Sequence, residues 1–144
     1  STFDFDKLVD EVVEEQQMTS RHKLFVSRSG AIGEVFADRH RISQVIANLI
    51  SNAIKYRAPG RTPMITIRAT TQTRRTLISI SDNGMGIDLK AHGQYIFTPY
   101  ARINSTGEGK GLGLYMVKNQ TEALNGTLEV DSEIGIGTTF TITL

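Results

Sequence analysis

The glycines are spread unevenly, and that limits what this chain can build more than any other feature. Of 13 glycines, 10 fall between Gly84 and Gly137. Glycine is at home where backbone turns through positive φ or passes close to another group, and it weakens the interiors of helices and strands. From Asn83 to Gly113, Gly and Pro recur and no hydrophobic periodicity holds, apart from a short helix expected around Leu89–Phe97. A span of about 30 residues without regular structure is uncommon in a compact domain and commonly functional. The regular elements that build the core must come from the flanks.

Those flanks alternate helix and strand. The pattern predicts a helix over Asp6–Thr19, with Asp6 as N-cap and Leu8, Val12 and Val13 inward. Leu24–Ser27 and Glu34–Ala37 read as short strands around Ser29-Gly30. The strongest helix runs over Arg39–Tyr56, where Ile42, Val45, Ile46, Leu49, Ile50, Ala53 and Ile54 follow the 3.6-residue period until Ala58-Pro59-Gly60 stops it. Met64–Thr70 and Thr76–Asp82 alternate around a polar Thr71–Arg75 turn, as a hairpin does. A helix over Leu112–Asn125 with Gly126 at C′, then a hairpin of Thr127–Asp131 and Thr138–Leu144, completes the chain. Antiparallel hairpins mixed with helices indicate an α+β, two-layer α/β sandwich with the helices on one face of a sheet.

At 144 residues, one domain spanning 1–144 is expected. Hydrophobic residues at 39% and charged residues at 22% exclude a disordered chain. The formal charge is +1 with basic residues scattered along the sequence, which offers no footprint for nucleic acid. No apolar run approaches the ~20 residues of a membrane span, and Ser1-Thr2-Phe3-Asp4 does not read as the start of a signal peptide. With zero Cys there is no disulfide framework, thiolate metal site or thiol nucleophile, as fits a cytosolic domain.

Three segments carry chemistry. On the Arg39–Tyr56 helix, Asn48, Asn52 and Lys55 fall within roughly 60° of one another at about 100° per residue, with Tyr56 at the edge of that strip. Amide oxygens can ligate a hard cation such as Mg²⁺, and lysine meets phosphate as a point charge; a solvated polar face would carry the same residues. Asp82-Asn83-Gly84-Met85-Gly86-Ile87 follows a strand directly. A carboxylate there, beside two glycines, can accept from a buried amine while backbone packs against a ring, though an ordinary tight turn has the same composition. Gly107-Glu108-Gly109-Lys110-Gly111-Leu112-Gly113-Leu114 opens a helix, where free N–H groups and the positive end of the dipole favour phosphate. It is not a P-loop, because position 104 is Asn, and neither Gly84 nor Gly111 starts a Gly-x-Gly-x-x-Gly run.

In this order and at these gaps, the three segments resemble the ATP-binding domain of sensor histidine kinases. That domain belongs to a superfamily shared with type II topoisomerases, mismatch-repair ATPases and a heat-shock chaperone. Ile96-Phe97-Thr98-Pro99-Tyr100-Ala101-Arg102 is similar to the family's phenylalanine box, and Gly135-Ile136-Gly137-Thr138-Thr139-Phe140 to its closing glycine-threonine turn. Thr98 and Ala101 depart from the commoner acidic and aromatic residues of that box, and the lid between Arg102 and Gly109 is short.

The resemblance implies a Bergerat-type fold, a mixed sheet of about five strands covered on one face by about three helices. It implies ATP between the Asn48–Tyr56 helix and a lid over Leu89–Lys110. Asn52 would ligate Mg²⁺ with Asn48 in support. Lys55, Tyr56, Arg102 and Lys110 would meet the nucleotide or its phosphates, with the N–H groups of Gly109, Gly111, Leu112 and Gly113. Asp82 would accept from the adenine amino group, with Gly84 and Gly86 allowing close approach, Thr139 nearby, and Ile87 and Leu114 as apolar walls. Asn48, Lys55 and Arg102 would serve the phosphoryl transfer.

The family's phosphoacceptor is a histidine before an acidic residue on a separate dimerising helix. Here His22 precedes Lys23, His40 precedes Arg41 and His92 precedes Gly93, so that dimerisation domain is expected as a partner, with a response regulator downstream. Nucleic acid and direct membrane contact are not expected of this chain, whose place is that of a cytoplasmic domain. Two other readings remain open at this point: a water-activating ATPase of the same superfamily and a non-catalytic nucleotide-binding module. The ATPase relatives place a glutamate where this chain has Asn48, and an amide cannot act as a general base.

Overall fold

The structure is a computed structural model, and it describes residues 1–99 and 113–144. Its centre is helix α2 (Arg39–Lys55). Asp38 caps it, accepting from the Arg41 N–H at 3.1 Å, and Ile42, Val45, Ile46, Leu49, Ile50 and Ala53 form its buried stripe. Truncating one such buried Ile or Leu to Ala costs about 2–5 kcal/mol.

Helix α1 (Phe5–Thr19) packs beside α2. It starts one residue earlier than the sequence predicts. The cap is Asp4, which follows the three-residue strand β1 (Thr2–Asp4) and accepts from the Lys7 N–H at 3.1 Å. Phe5 drives the shift, because its side chain is buried and takes the first turn into the core. Asp6, the expected cap, instead accepts from the N–H groups of Ile32 at 3.2 Å and Gly33 at 2.9 Å, tying α1 to a distant loop.

The two short strands expected around Ser29-Gly30 form as β2 (Phe25–Ser29) and β3 (Glu34–Phe36), but they do not pair with each other. Strand β3 pairs antiparallel with β1, Thr2 opposite Phe36, in a separate ribbon. Strand β2 lies parallel to β4 (Met64–Gln72), Phe25 opposite Met64. Parallel neighbours need a long crossover, and α2 is carried within it. The remaining strands are β5 (Arg75–Asp82), β6 (Thr127–Glu133) and β7 (Gly137–Thr143), and the five-stranded order is β2-β4-β5-β7-β6. Among the described residues only β2–β4 is parallel. The β4–β5 turn narrows to Thr73-Arg74, both at positive φ, as a two-residue hairpin loop requires.

One face of the sheet is apolar and one is polar. Ile65, Ile67 and Ala69 of β4, Ile78 and Ile80 of β5, and Phe140 and Ile142 of β7 are buried on the helical side. Their alternates, Thr66, Ser79, Ser81, Thr139 and Thr141, line the opposite face in register. The helical layer is α1, α2 and α4 (Gly113–Ala123); the remaining helix, α3 (Leu89–His92), is a single turn. This is the two-layer α+β sandwich the sequence predicts. Helix α4 ends differently from the expectation. Asn125, at φ +58°, is its left-handed residue, and the Gly126 N–H donates to Thr121 O at 3.0 Å. Asn tolerates that conformation because its short polar side chain relieves it.

Candidate functional site

Two walls meet at the C-terminal end of α2. The first is the polar strip on α2 itself. Arg41 Nη1 donates to Gln120 Oε1 at 2.9 Å, and Gln120 Nε2 donates to Gln44 Oε1 at 2.8 Å. These bonds fix which side of α2 faces α4. Asn48, Asn52 and Lys55 continue along that side by helical geometry. Asn52 is 6% exposed, and among the described residues none hydrogen-bonds its side-chain amide. Its Oδ1 lies 3.9 Å from where a Cβ on Gly113 would stand, so the amide faces the start of α4. An amide oxygen suits a hard cation.

The second wall is the end of β5. Asp82 continues the inward phase of Ile78 and Ile80 and so emerges on the helical side. Its Oδ1 accepts from the N–H groups of Gly84 at 2.8 Å and Thr138 at 3.2 Å. Burial pushes the carboxyl above the usual carboxylate range, while the two N–H groups pull the other way.

Backbone bonds join the walls. The Met85 N–H donates to Tyr56 O at 2.9 Å, and Met85 O accepts from Gly135 N–H at 2.8 Å. Gly84 has no room for a side chain, since a Cβ would stand 2.6 Å from Tyr56 O. Gly86 adopts φ +76°, and its missing side chain admits the Glu133 carbonyl. The resemblance gives Gly86 the close approach of a ring; in the structure it packs against the β6–β7 turn. Ile87 is buried, and its N–H donates to Ser132 Oγ at 2.7 Å. Leu114 is buried in the first turn of α4, next to Gly113. Phe97 stacks edge-on against Phe140 at 6.4 Å between centroids, so the phenylalanine-box segment roots in the core.

The structure therefore brings together Asp82, Gly84, Gly86, Ile87 and Tyr56 around one loop, and sets Asn52 near Gly113. Arg102, Gly109, Lys110, Gly111 and Leu112 lie outside the described residues. Lys55 is half-buried and also lines an open groove between the C-terminal ends of α1 and α2. Thr139 needs correction. It sits opposite Ser81 and shares a 2.7 Å hydroxyl pair with it on the polar face of the sheet, one residue out of phase with Asp82. Thr138 is the residue beside Asp82, and Ser132 and Thr138 share a hydroxyl pair at 2.8 Å behind it. The signal for Thr138 was present: it is in phase with Phe140 and Ile142, which are buried on the helical side.

The family described as histidine kinase-, DNA gyrase B- and HSP90-like ATPase matches residues 37–144. The chain belongs to that family. Its relatives place this ATPase-family domain among sensor kinases. It is 37% identical to the adaptive-response sensory kinase SasA of Synechococcus elongatus, over 97% of the chain and 37% of that protein. It is 38% identical to the sensor histidine kinase ZraS of Escherichia coli, over 90% of the chain and 27% of that protein. The domain thus spans little more than a third, or less, of these two relatives. Among solved structures, the catalytic domain of histidine kinase ThkA superposes over 100% of this chain and 93% of that one, with TM-score 0.77 and 26% identity. The fold is also that of the histidine kinase ShkA, solved in complex with AMPPNP, with TM-score 0.83, 24% identity and 99% and 30% coverage. Among the described residues of the domain, no helix is long and apolar enough to cross a membrane.

Proposed function

We propose that this domain binds Mg·ATP and donates the γ-phosphoryl group to a histidine on a separate dimerisation domain of a longer two-component kinase. The observation that carries the reading is the juncture of Asp82 with the α2 strip, closed by the Met85–Tyr56 backbone bond. It supports the reading because the loop carries a carboxylate that can accept from an adenine amine and the strip carries amides and a lysine that can serve phosphates.

The division of labour follows from the residues. The Gly84 and Thr138 N–H groups occupy Oδ1 of Asp82 and lock its rotamer, so Oδ2 is the oxygen offered to the base. Ile87 and Leu114 supply apolar flanks. Asn52 would hold Mg²⁺ through its amide oxygen, supported by Asn48, and the position of that oxygen toward Gly113 at the start of α4 fits the role. The ion supplies charge neutralisation on the phosphates. Lys55, and by their sequence positions Arg102 and Lys110, add positive charge there, with N–H groups of the 109–113 turn. Catalysis on this side of the reaction is positioning and charge stabilisation. Asn48 cannot take a proton from water, which favours transfer over hydrolysis. A response regulator would receive the phosphoryl group next.

The test is calorimetry with a non-hydrolysable ATP analogue and Mg²⁺, followed by γ-phosphate transfer from labelled ATP. Binding in the micromolar-to-millimolar range, no acid-labile label on the chain alone, and label on an added dimerisation domain of the same parent are expected. No binding at millimolar ligand refutes the nucleotide site, and rapid phosphate release by the chain alone favours the hydrolase.

A further inference from the structure

The basic residues look dispersed in sequence, but folding gathers a third of them. The segment after α1 and the segment after α2 lie side by side and enclose two adjoining open grooves of about 430 and 350 Å³. The grooves share His22 and Arg57. Among the described residues they are lined by five Lys and Arg residues (Arg21, Lys23, Lys55, Arg57 and Arg61) and by no Asp or Glu. Arg21, Lys23, Lys55 and Arg61 enter no ion pair among the described residues.

We infer that this trough is a docking surface for an acidic polypeptide segment of a partner protein. A trough with cations along it and no carboxylate among its described lining residues holds a positive potential that attracts an extended polyanion. The cations are exposed or half-buried and strung along the trough, unlike the convergent cluster that a single small anion requires. The hydroxyls are partly committed: Thr19 Oγ1 donates to Glu15 O at 3.0 Å and Ser20 Oγ to His22 O at 2.9 Å. Among the described residues no Phe, Tyr or Trp lines either groove, and His22 is the one aromatic ring there, which is a poor stacking platform for successive nucleic-acid bases. Ile54, Pro59 and Pro63 instead offer aliphatic contact suited to peptide. The surface adjoins the Asp82 loop, where Arg61 Nη2 donates to Gly84 O at 3.1 Å and Thr62 O accepts from Asn83 Nδ2 at 3.1 Å, and it shares Lys55 with the proposed phosphate contacts.

The experiment uses the 144-residue chain and a fluorescein-labelled peptide of alternating Glu and Asp, read by anisotropy and by amide shifts. The double variant Arg21→Glu with Lys23→Glu should weaken the peptide about tenfold or more, while Arg68→Glu with Arg75→Glu, the same charge change on the sheet, should cost about twofold or less. Shifts should centre on residues 19–23 and 57–61. Affinity should fall with added salt, and binding of the ATP analogue should be unchanged in both variants. Equal weakening by the two double variants, or shifts centred elsewhere, overturns the docking surface. Tighter binding of pyrophosphate or of a single-stranded oligonucleotide of equal charge overturns the choice of an acidic peptide.

Discussion

Replacing Asp82 with Asn tests the site at its most informative atom. Oδ1 already accepts two backbone N–H groups, at 2.8 and 3.2 Å, and among the described residues nothing donates to Oδ2. An Asn side chain can keep its oxygen on Gly84 and Thr138, which leaves its NH₂ where Oδ2 was. That group donates rather than accepts, so it faces the adenine amino group with like polarity. Losing a hydrogen bond to a charged acceptor costs about 1.5–3 kcal/mol, or roughly 10- to 100-fold in affinity. Guanine presents a carbonyl at the same ring position, which the new NH₂ can donate to. Asp82→Asn should therefore weaken an ATP analogue by that factor and leave the GTP analogue unchanged or tighter. Calorimetry with both analogues, alongside a melting curve, measures it. The fold should hold, because the two backbone bonds survive and a buried charge is removed. Equal losses for the two bases in a folded variant would show that Asp82 serves only to close its turn.

Stability should also respond to pH through this carboxyl. Its pKa is raised by burial, so over the range just above the ordinary carboxylate value the folded chain holds a proton that the unfolded chain has released. Its contribution to stability is then full at low pH and declines as pH rises through the raised value, and Asp82→Asn should remove that part of the slope in urea titrations. Asn52→Ala should weaken the ATP analogue more with Mg²⁺ than without it; an equal loss in both would take Asn52 off the metal. Gly86→Ala forces a Cβ into the Glu133 carbonyl at φ +76°, which should cost about 3 kcal/mol or more and lower the melting temperature by roughly 10 °C. An unchanged melting curve would contradict the close packing of that turn.

Helix α2 was legible because its stripe and stop occupy one contiguous stretch. The alignment of Asn48, Asn52 and Lys55 was legible for the same reason, since it needs only the helical period. What escaped depends on partners far along the chain. Asp4 and Asp6 are both plausible caps locally, and only the bonds from Asp6 to Ile32 and Gly33 distinguish their roles. The parallel pairing of Phe25 with Met64 has no local signature, because its partner lies beyond a helix. The choice between Thr138 and Thr139 is a question of strand phase, and one residue of error moves a side chain to the other face. The basic trough was hidden because its two lips are separated by α2 and the short strands before it.

The parallel seam between β2 and β4 has a practical consequence for where the domain can be cut. A shortened gene product beginning at residue 37, where the family match begins, would retain every residue of the candidate site. It would also discard β2, which zips onto β4 from Phe25–Met64 to Ser29–Arg68, and α1, which buries Phe5, Leu8, Val9, Val12 and Val13. Strand β4 would become a bare edge open to pairing with other chains, and the flank of α2 would lose its apolar cover. Such a piece should accumulate as insoluble material, while one that keeps residues 1–36 should remain soluble.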